Sequence, residues 1–140
     1  MFSTNTYHAL GIITQLNLCF GERAVDVKEL TLRCLCSENE LEYPLLRLEQ
    51  LALIRQPYGS GKGYALAKSP DKIRLFDIIY PFEVSLFEEH TVADNAFPSG
   101  DARMLYNEYR PIQKLIIKKL KRKKLSEWNG RISSSFVEFV

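Results

Sequence analysis

The stretch PYGSGKGY, Pro57–Tyr64, constrains the fold more than any other. Three glycines alternate with Ser60 and Lys62, and the Gly61–Lys62 pair invites a phosphate-loop reading. The spacing excludes it. That motif needs glycine where Gln56 stands, and a Mg²⁺-ligating Ser or Thr where Gly63 stands. The flanks argue for something else. LEQLALIRQ reads as a helix end running into a strand; YALAKSP alternates like a strand and stops at Pro70. Strand, glycine turn, strand is a β-hairpin. Its glycines supply positive φ cheaply and keep the tip slim, so Gly59, Ser60, Gly61 and Lys62 form a projecting tip.

The segments before the hairpin say what it belongs to. Tyr7–Phe20 has helical spacing, with Ala9, Ile12, Ile13, Leu16 and Phe20 on one face, and GER closes it. Asp26 is a good N-cap for a short helix whose Val27, Leu30, Leu35 and Cys36 bury one face. Ser37 with Glu40 forms a capping box and opens another helix, with Leu41, Leu45, Leu48 and Leu51 as its apolar stripe. Pro44 removes one backbone donor from that helix, which predicts a bend or a delayed start. Two short helices joined by a tight turn, then a hairpin, predict a winged helix-turn-helix.

After the hairpin, a short helix over Leu75–Tyr80 is expected, ended by Pro81. Val84–Gly100 has no clear period and reads as a long loop or a partly disordered linker. Asp101 then caps a last helix whose Leu105, Tyr109, Ile112, Ile116 and Leu120 form one stripe opposite a Lys/Arg face, with a kink expected at Pro111. The stripe is too apolar for an isolated exposed helix and predicts a homodimer through it. The expected organisation is a winged helix-turn-helix domain over 1–83, a loop over 84–100, a dimerisation helix over 101–128 and a tail over 129–140. The fold class is mainly α with a small β-hairpin wing.

Composition narrows the function. The 140 residues are 46% hydrophobic and 26% charged, ordinary for a soluble globular chain, and the net charge is only +2. The local distribution is more pointed: SENELE (Ser37–Glu42) is acidic and KLIIKKLKRKK (Lys114–Lys124) strongly basic. Lys118–Lys124 reads either as a solvated helix face placed well for the helix dipole, or as a contact to DNA or an acidic partner. No apolar run approaches the roughly 20 residues of a membrane span, and the N-terminus lacks the basic start of a signal peptide, so a cytoplasmic location is expected. Three cysteines, Cys19, Cys34 and Cys36, argue against a disulfide scaffold. Nothing has the form of a triad, a paired-carboxylate site or a metal cluster, so no catalytic residue, no metal site and no cofactor are expected.

From Val25 to Ile78 the chain resembles the Rrf-two family of bacterial winged-helix transcriptional regulators, without a gap. HAL (His8–Leu10) sits where that family carries Tyr-Ala-Leu in its first helix. VDVKEL is similar to the start of its helix-turn-helix, and SENELEYPLLRLEQLALIR to its recognition helix, including the Leu41–Glu42 pair. GSGKGYALAKSPDKIRLFDI is similar to its wing, where the family has Gly-Pro-Gly-Gly-Gly-Tyr, Leu-Ala, Ile-x-Leu and Asp-Ile. The resemblance implies a homodimeric repressor or activator of transcription. Its partner is a double-stranded DNA operator, and an unidentified small-molecule or protein effector is admitted. The glycine turn becomes the tip of a wing lying along or in the minor groove, where Lys62 meets phosphates or the groove floor.

One departure matters. Cluster-binding members carry three cysteines in the loop before the last helix; here Val84–Gly100 has none, and His90 is its one soft ligand. One imidazole cannot hold an iron–sulfur cluster, so this chain resembles the members without one. Under the resemblance the DNA-contacting residues are Ser37, Glu42, Tyr43, Arg47 and Arg55, with Gly59, Ser60, Gly61 and Lys62 at the tip. Glu42 has two readings, an acceptor for a cytosine amino group or a solvated acid beside Glu38 and Glu40. Arg47 and Arg55 read as phosphate contacts or as ordinary surface charge. Cys34 and Cys36 lack the further ligands of a zinc site in sequence; Cys36 reads as core, with a sensory thiol as the alternative. His8 and His90 are given no role. The acidic SENELE and Pro44 keep open a second function, a winged-helix protein–protein module that has lost DNA binding.

Overall fold

The computed structural model describes residues 2–87 and 100–128. His90, most of the expected 84–100 loop and the 129–140 tail lie outside the described residues. The first helix, α1, spans Thr4–Leu18 and is capped by Ser3, whose Oγ accepts from the Thr6 N–H. Its Ala9, Ile12, Ile13 and Leu16 are buried as their spacing dictates. Phe20, expected on the same face, is 45% exposed, because the helix has already ended at Leu18.

Asp26 caps α2 (Val27–Cys34) by accepting from the Glu29 N–H at 2.8 Å. Of the expected apolar face, Leu30 is fully buried and Val27 and Cys36 pack against the core. Leu35 does not join them. It takes a left-handed conformation (φ 54°) to close the helix, which throws its side chain out to 90% exposure. Ser37 then caps α3 (Glu38–Gln50), its Oγ accepting from the Glu40 N–H at 3.2 Å. Only this half of the capping box forms, and the Glu40 carboxylate lies 3.7 Å from His8 Nε2. Pro44 does not delay the start of α3, which runs through it, and the residue is buried, as are Leu41, Leu45 and Leu48. The helix stops in a Schellman motif: Ala52 adopts φ 58°, with Ala52 N–H bonded to Glu49 O and Leu53 N–H to Leu48 O.

The wing follows. Strands β1 (Ile54–Arg55) and β2 (Ala65–Leu66) pair antiparallel, Ile54 opposite Leu66 and Arg55 opposite Ala65. Tyr64 also bridges to Val25, anchoring the wing to the segment before α2. Gly63 (φ 97°) is required there, since a Cβ would lie 3.2 Å from Val25 O and from the Ala24 Cβ. A 3₁₀ turn at Pro70–Lys72, helix α4 (Leu75–Ile79) and a second 3₁₀ turn at Tyr80–Phe82 lead to α5 (Val84–Phe87), so the start of the expected loop is helical. Ile73, Leu75, Ile78 and Ile79 add to a core already lined by α1 and α3.

The last helix, α6, spans Gly100–Arg122, beginning one residue before Asp101 and running on through Pro111. Its end is stitched to the domain by backbone bonds from Leu75 N–H to Lys123 O (2.9 Å) and from Leu125 N–H to Ile73 O (2.8 Å). Buried Leu125 and half-buried Ile117, Leu120 and Trp128 complete that seam. Leu120 therefore packs into its own chain's core and is not part of a free stripe, correcting the expectation. The free stripe lies beside it: Leu105, Tyr109, Ile112 and Ile116 are exposed, together with Met104 and Leu115. The architecture is a winged helix-turn-helix carrying a C-terminal helix. No helix among the described residues is long and apolar enough to cross a membrane.

Candidate nucleic-acid interface

Helix α3 presents two flanks. One faces the wing across a cleft of about 480 Å³ lined by Glu38, Asn39, Glu42, Leu46, Glu49 and Tyr64. The other carries Tyr43, which meets Phe82 edge-on at 6.1 Å, and Arg47 one turn later. The structure thus separates Glu42 from Tyr43 and Arg47, which the sequence reading had grouped. It also gathers Glu38 and Glu49 around Glu42, so the wing-facing flank carries three carboxylates. Ser37 is exposed at the head of this helix, its oxygen engaged in the cap.

The wing tip, Gly59–Lys62, is exposed throughout, with Gly59 at φ 105° and Gly61 at φ 79°. Gln56, which sequence reasoning missed, holds the tip in place. Its amide nitrogen donates to the Glu49 carboxylate (3.2 Å) and its amide oxygen accepts from the Gly61 N–H (3.0 Å). One side chain therefore links α3 to the tip of the wing. The only hint in sequence was a glutamine where a phosphate loop would have had glycine. On the outer side of the wing, Arg55 shares a second cleft with Arg23 and Tyr58. Arg23 was also missed; it forms a two-pronged ion pair with Glu29 at 2.6 and 2.8 Å, which strengthens the hold of its guanidinium on its proton and lowers the Glu29 carboxyl.

Cys34 and Cys36 lie where α2 gives way to α3. Burial, with Cys36 beside it, pushes the Cys34 thiol up to about 11, so it carries almost no thiolate at neutral pH. Gly11 on α1 makes the room it fills: a Cβ there would lie 3.1 Å from Cys34 Sγ. Cys36 is raised by burial and by the Glu40 carboxylate. Neither is the low-pKa thiol that a direct redox sensor needs, and all three cysteines are free.

The family model for Rrf2, described as an iron-dependent transcriptional regulator, matches residues 2–128. The chain belongs to the Rrf2 family of transcriptional regulators. Solved structures agree on the fold. CymR (YrzC), the global cysteine regulator of B. subtilis, superposes with a TM-score of 0.75 at 24% identity over 94% of this chain and 97% of that one. IscR of T. potens gives 0.70 at 23% identity over 96% and 88%. The oxidized form of Staphylococcus aureus CymR gives 0.68 at 19% identity over 92% and 95%. No curated protein matches the chain. Lys62 lies at the exposed tip of the hairpin and Glu42 on the exposed side of α3.

Proposed function

We propose that this Rrf2 chain is a sequence-specific, double-stranded-DNA-binding repressor that acts as a homodimer through α6 and holds no iron–sulfur cluster. The observation that carries the reading is the exposed Gly59–Lys62 tip, linked to α3 through the Gln56 side chain. A duplex approaching both elements meets a cation at the tip and side chains capable of reading base edges on the helix. Lys62 supplies attraction that does not depend on sequence. Asn39 and Glu42 supply groups that discriminate, a carboxylate being useful only where it accepts from a cytosine amino group. The absence of cysteine from 84–100 motivates the cluster-free assignment, in contrast to the iron dependence by which the family is described. Small-molecule or protein effectors remain compatible with this scheme.

Three carboxylates on the wing-facing flank favour a second reading, a winged-helix module that receives a basic protein segment instead of DNA. A salt series separates the two. Gel shifts on the DNA upstream of the protein's own operon should show affinity that falls steeply with added salt, as counterion release requires. Binding that is absent at low salt would leave the protein–protein reading standing.

A further inference from the structure

His8, Cys36 and Glu40 come together where α1 passes the start of the recognition helix. His8 contributes from the second turn of α1, Cys36 from the residue before the Ser37 cap, and Glu40 from the first turn of α3. A nitrogen, a sulfur and a carboxylate oxygen from these three side chains all lie within 4.8 Å of one another. His8 and Cys36 are half-buried, and Glu40 is exposed. From this geometry we infer that the three side chains form a binding site for a single divalent metal ion of the zinc class, with water as the fourth ligand.

Three features point the same way. The donor set is one thiolate, one imidazole and one carboxylate, the borderline-soft mixture that selects zinc-like ions over Mg²⁺ or Ca²⁺. Three protein ligands leave a tetrahedral ion one open position. The imidazole has no competing commitment. His8 Nε2 is 3.7 Å from Glu40 Oε2, beyond hydrogen-bond reach, and the buried Nδ1 has no partner. Glu40 has likewise forgone the reciprocal half of the capping box. Drawing the donors onto an ion with bonds of about 2.0–2.3 Å needs shifts of about an ångström or less, and the exposed Glu40 has the rotamer freedom to supply them. Ligation transfers the Cys36 thiol proton to solvent. The net effect is to remove one unit of negative charge from the head of an acidic recognition helix and to tie that head to α1.

The test uses the full chain, stripped of metal by a chelator and kept reduced, titrated with Co²⁺ and then Zn²⁺. One Co²⁺ per chain should bind, with a thiolate-to-cobalt charge-transfer band and the intense visible absorption of a four-coordinate ion. Zn²⁺ should bleach both. Cys36→Ser should abolish the charge-transfer band, while Cys34→Ser leaves it intact. His8→Ala and Glu40→Gln should each weaken Co²⁺ binding by at least about tenfold. Glu40 is exposed, so Glu40→Gln keeps the test valid even if Cys36→Ser fails to fold. No charge-transfer band, a band that survives Cys36→Ser, a band lost in Cys34→Ser, or a Glu40→Gln chain with unchanged affinity would each overturn the site.

Discussion

The helix-turn-helix and the last helix solve the same burial problem in opposite ways. Helix α3 turns Leu41, Leu45 and Leu48 inward, where α1 covers them completely or nearly so. Helix α6 commits Gln113, Ile117 and Leu120 to its own chain and leaves Met104, Leu105, Ile112 and Leu115 more than half exposed. At roughly 25 cal/mol per Å² of apolar surface, an outward stripe of this size is a standing cost in water and a large gain once covered. One region is finished within a single chain. The other leaves its apolar stripe uncovered, and the proposed dimer rests on that stripe. Isologous pairing would cover the same face on both chains at once and set two recognition helices at a fixed spacing.

The sharpest way to break this contrast on the closed side is the core. Leu48→Ala should cost about 2–5 kcal/mol of stability by denaturant unfolding, because Leu48 is fully buried between α1 and α3. A comparable truncation on the open side, measured in the dissociated chain, should cost far less. Next comes the join between the start of α1 and Glu83, the residue before α5. The buried Glu83 carboxylate accepts from Ser3 N–H at 2.5 Å and Thr6 Oγ1–H at 2.6 Å, and the Thr6 bond, with the Ser3 backbone, holds its pKa below the ordinary 4.5. A depressed carboxyl pKa stabilises the fold above its unfolded value, and that contribution fades as pH falls through the folded one. Thr6→Val should therefore lose about 1.5–3 kcal/mol at neutral pH, and the gap from wild type should shrink well below pH 4.5. A gap independent of pH would mean that the loss comes from packing alone.

Smaller effects sharpen the contrast within the surface proposed to face DNA. Glu42→Ala should cost on the order of 1–3 kcal/mol on the operator alone and relax preference at one position. Equal tightening on every sequence would make Glu42 a merely repulsive charge. The smallest expected effect belongs to Lys62→Ala, which should weaken operator and random DNA alike and lower the salt slope by about one.

Much of this was legible in the sequence because it is local. Helical spacing placed Ala9, Ile12, Ile13 and Leu16, cap residues marked the starts of α2 and α3, and alternating glycines marked the wing. The errors occur where a neighbour distant in sequence decides. Leu120 fits the outward stripe by period, but the backbone bonds between Leu75 and Lys123 pull the end of α6 onto the domain. Leu35 fits the α2 face by period, but the left-handed turn rotates it out. Gln56, Arg23 and the His8–Cys36–Glu40 group were invisible for the same reason, since each acquires its meaning from partners brought near only by folding. Taken one by one, His8 and Cys36 carry no signal; the proposed site rests on their proximity.

Whether a second copy covers α6 is tested most directly by the mass of the protein in solution. Light scattering of the wild-type chain should give twice the mass of one chain. Ile112→Glu combined with Ile116→Glu, both at exposed positions on the free stripe, should give a folded species of half that mass with an unchanged helical spectrum. A double variant that stays dimeric, or a wild type that is monomeric at concentrations where it binds DNA, would contradict the claim that α6 is completed by a second copy.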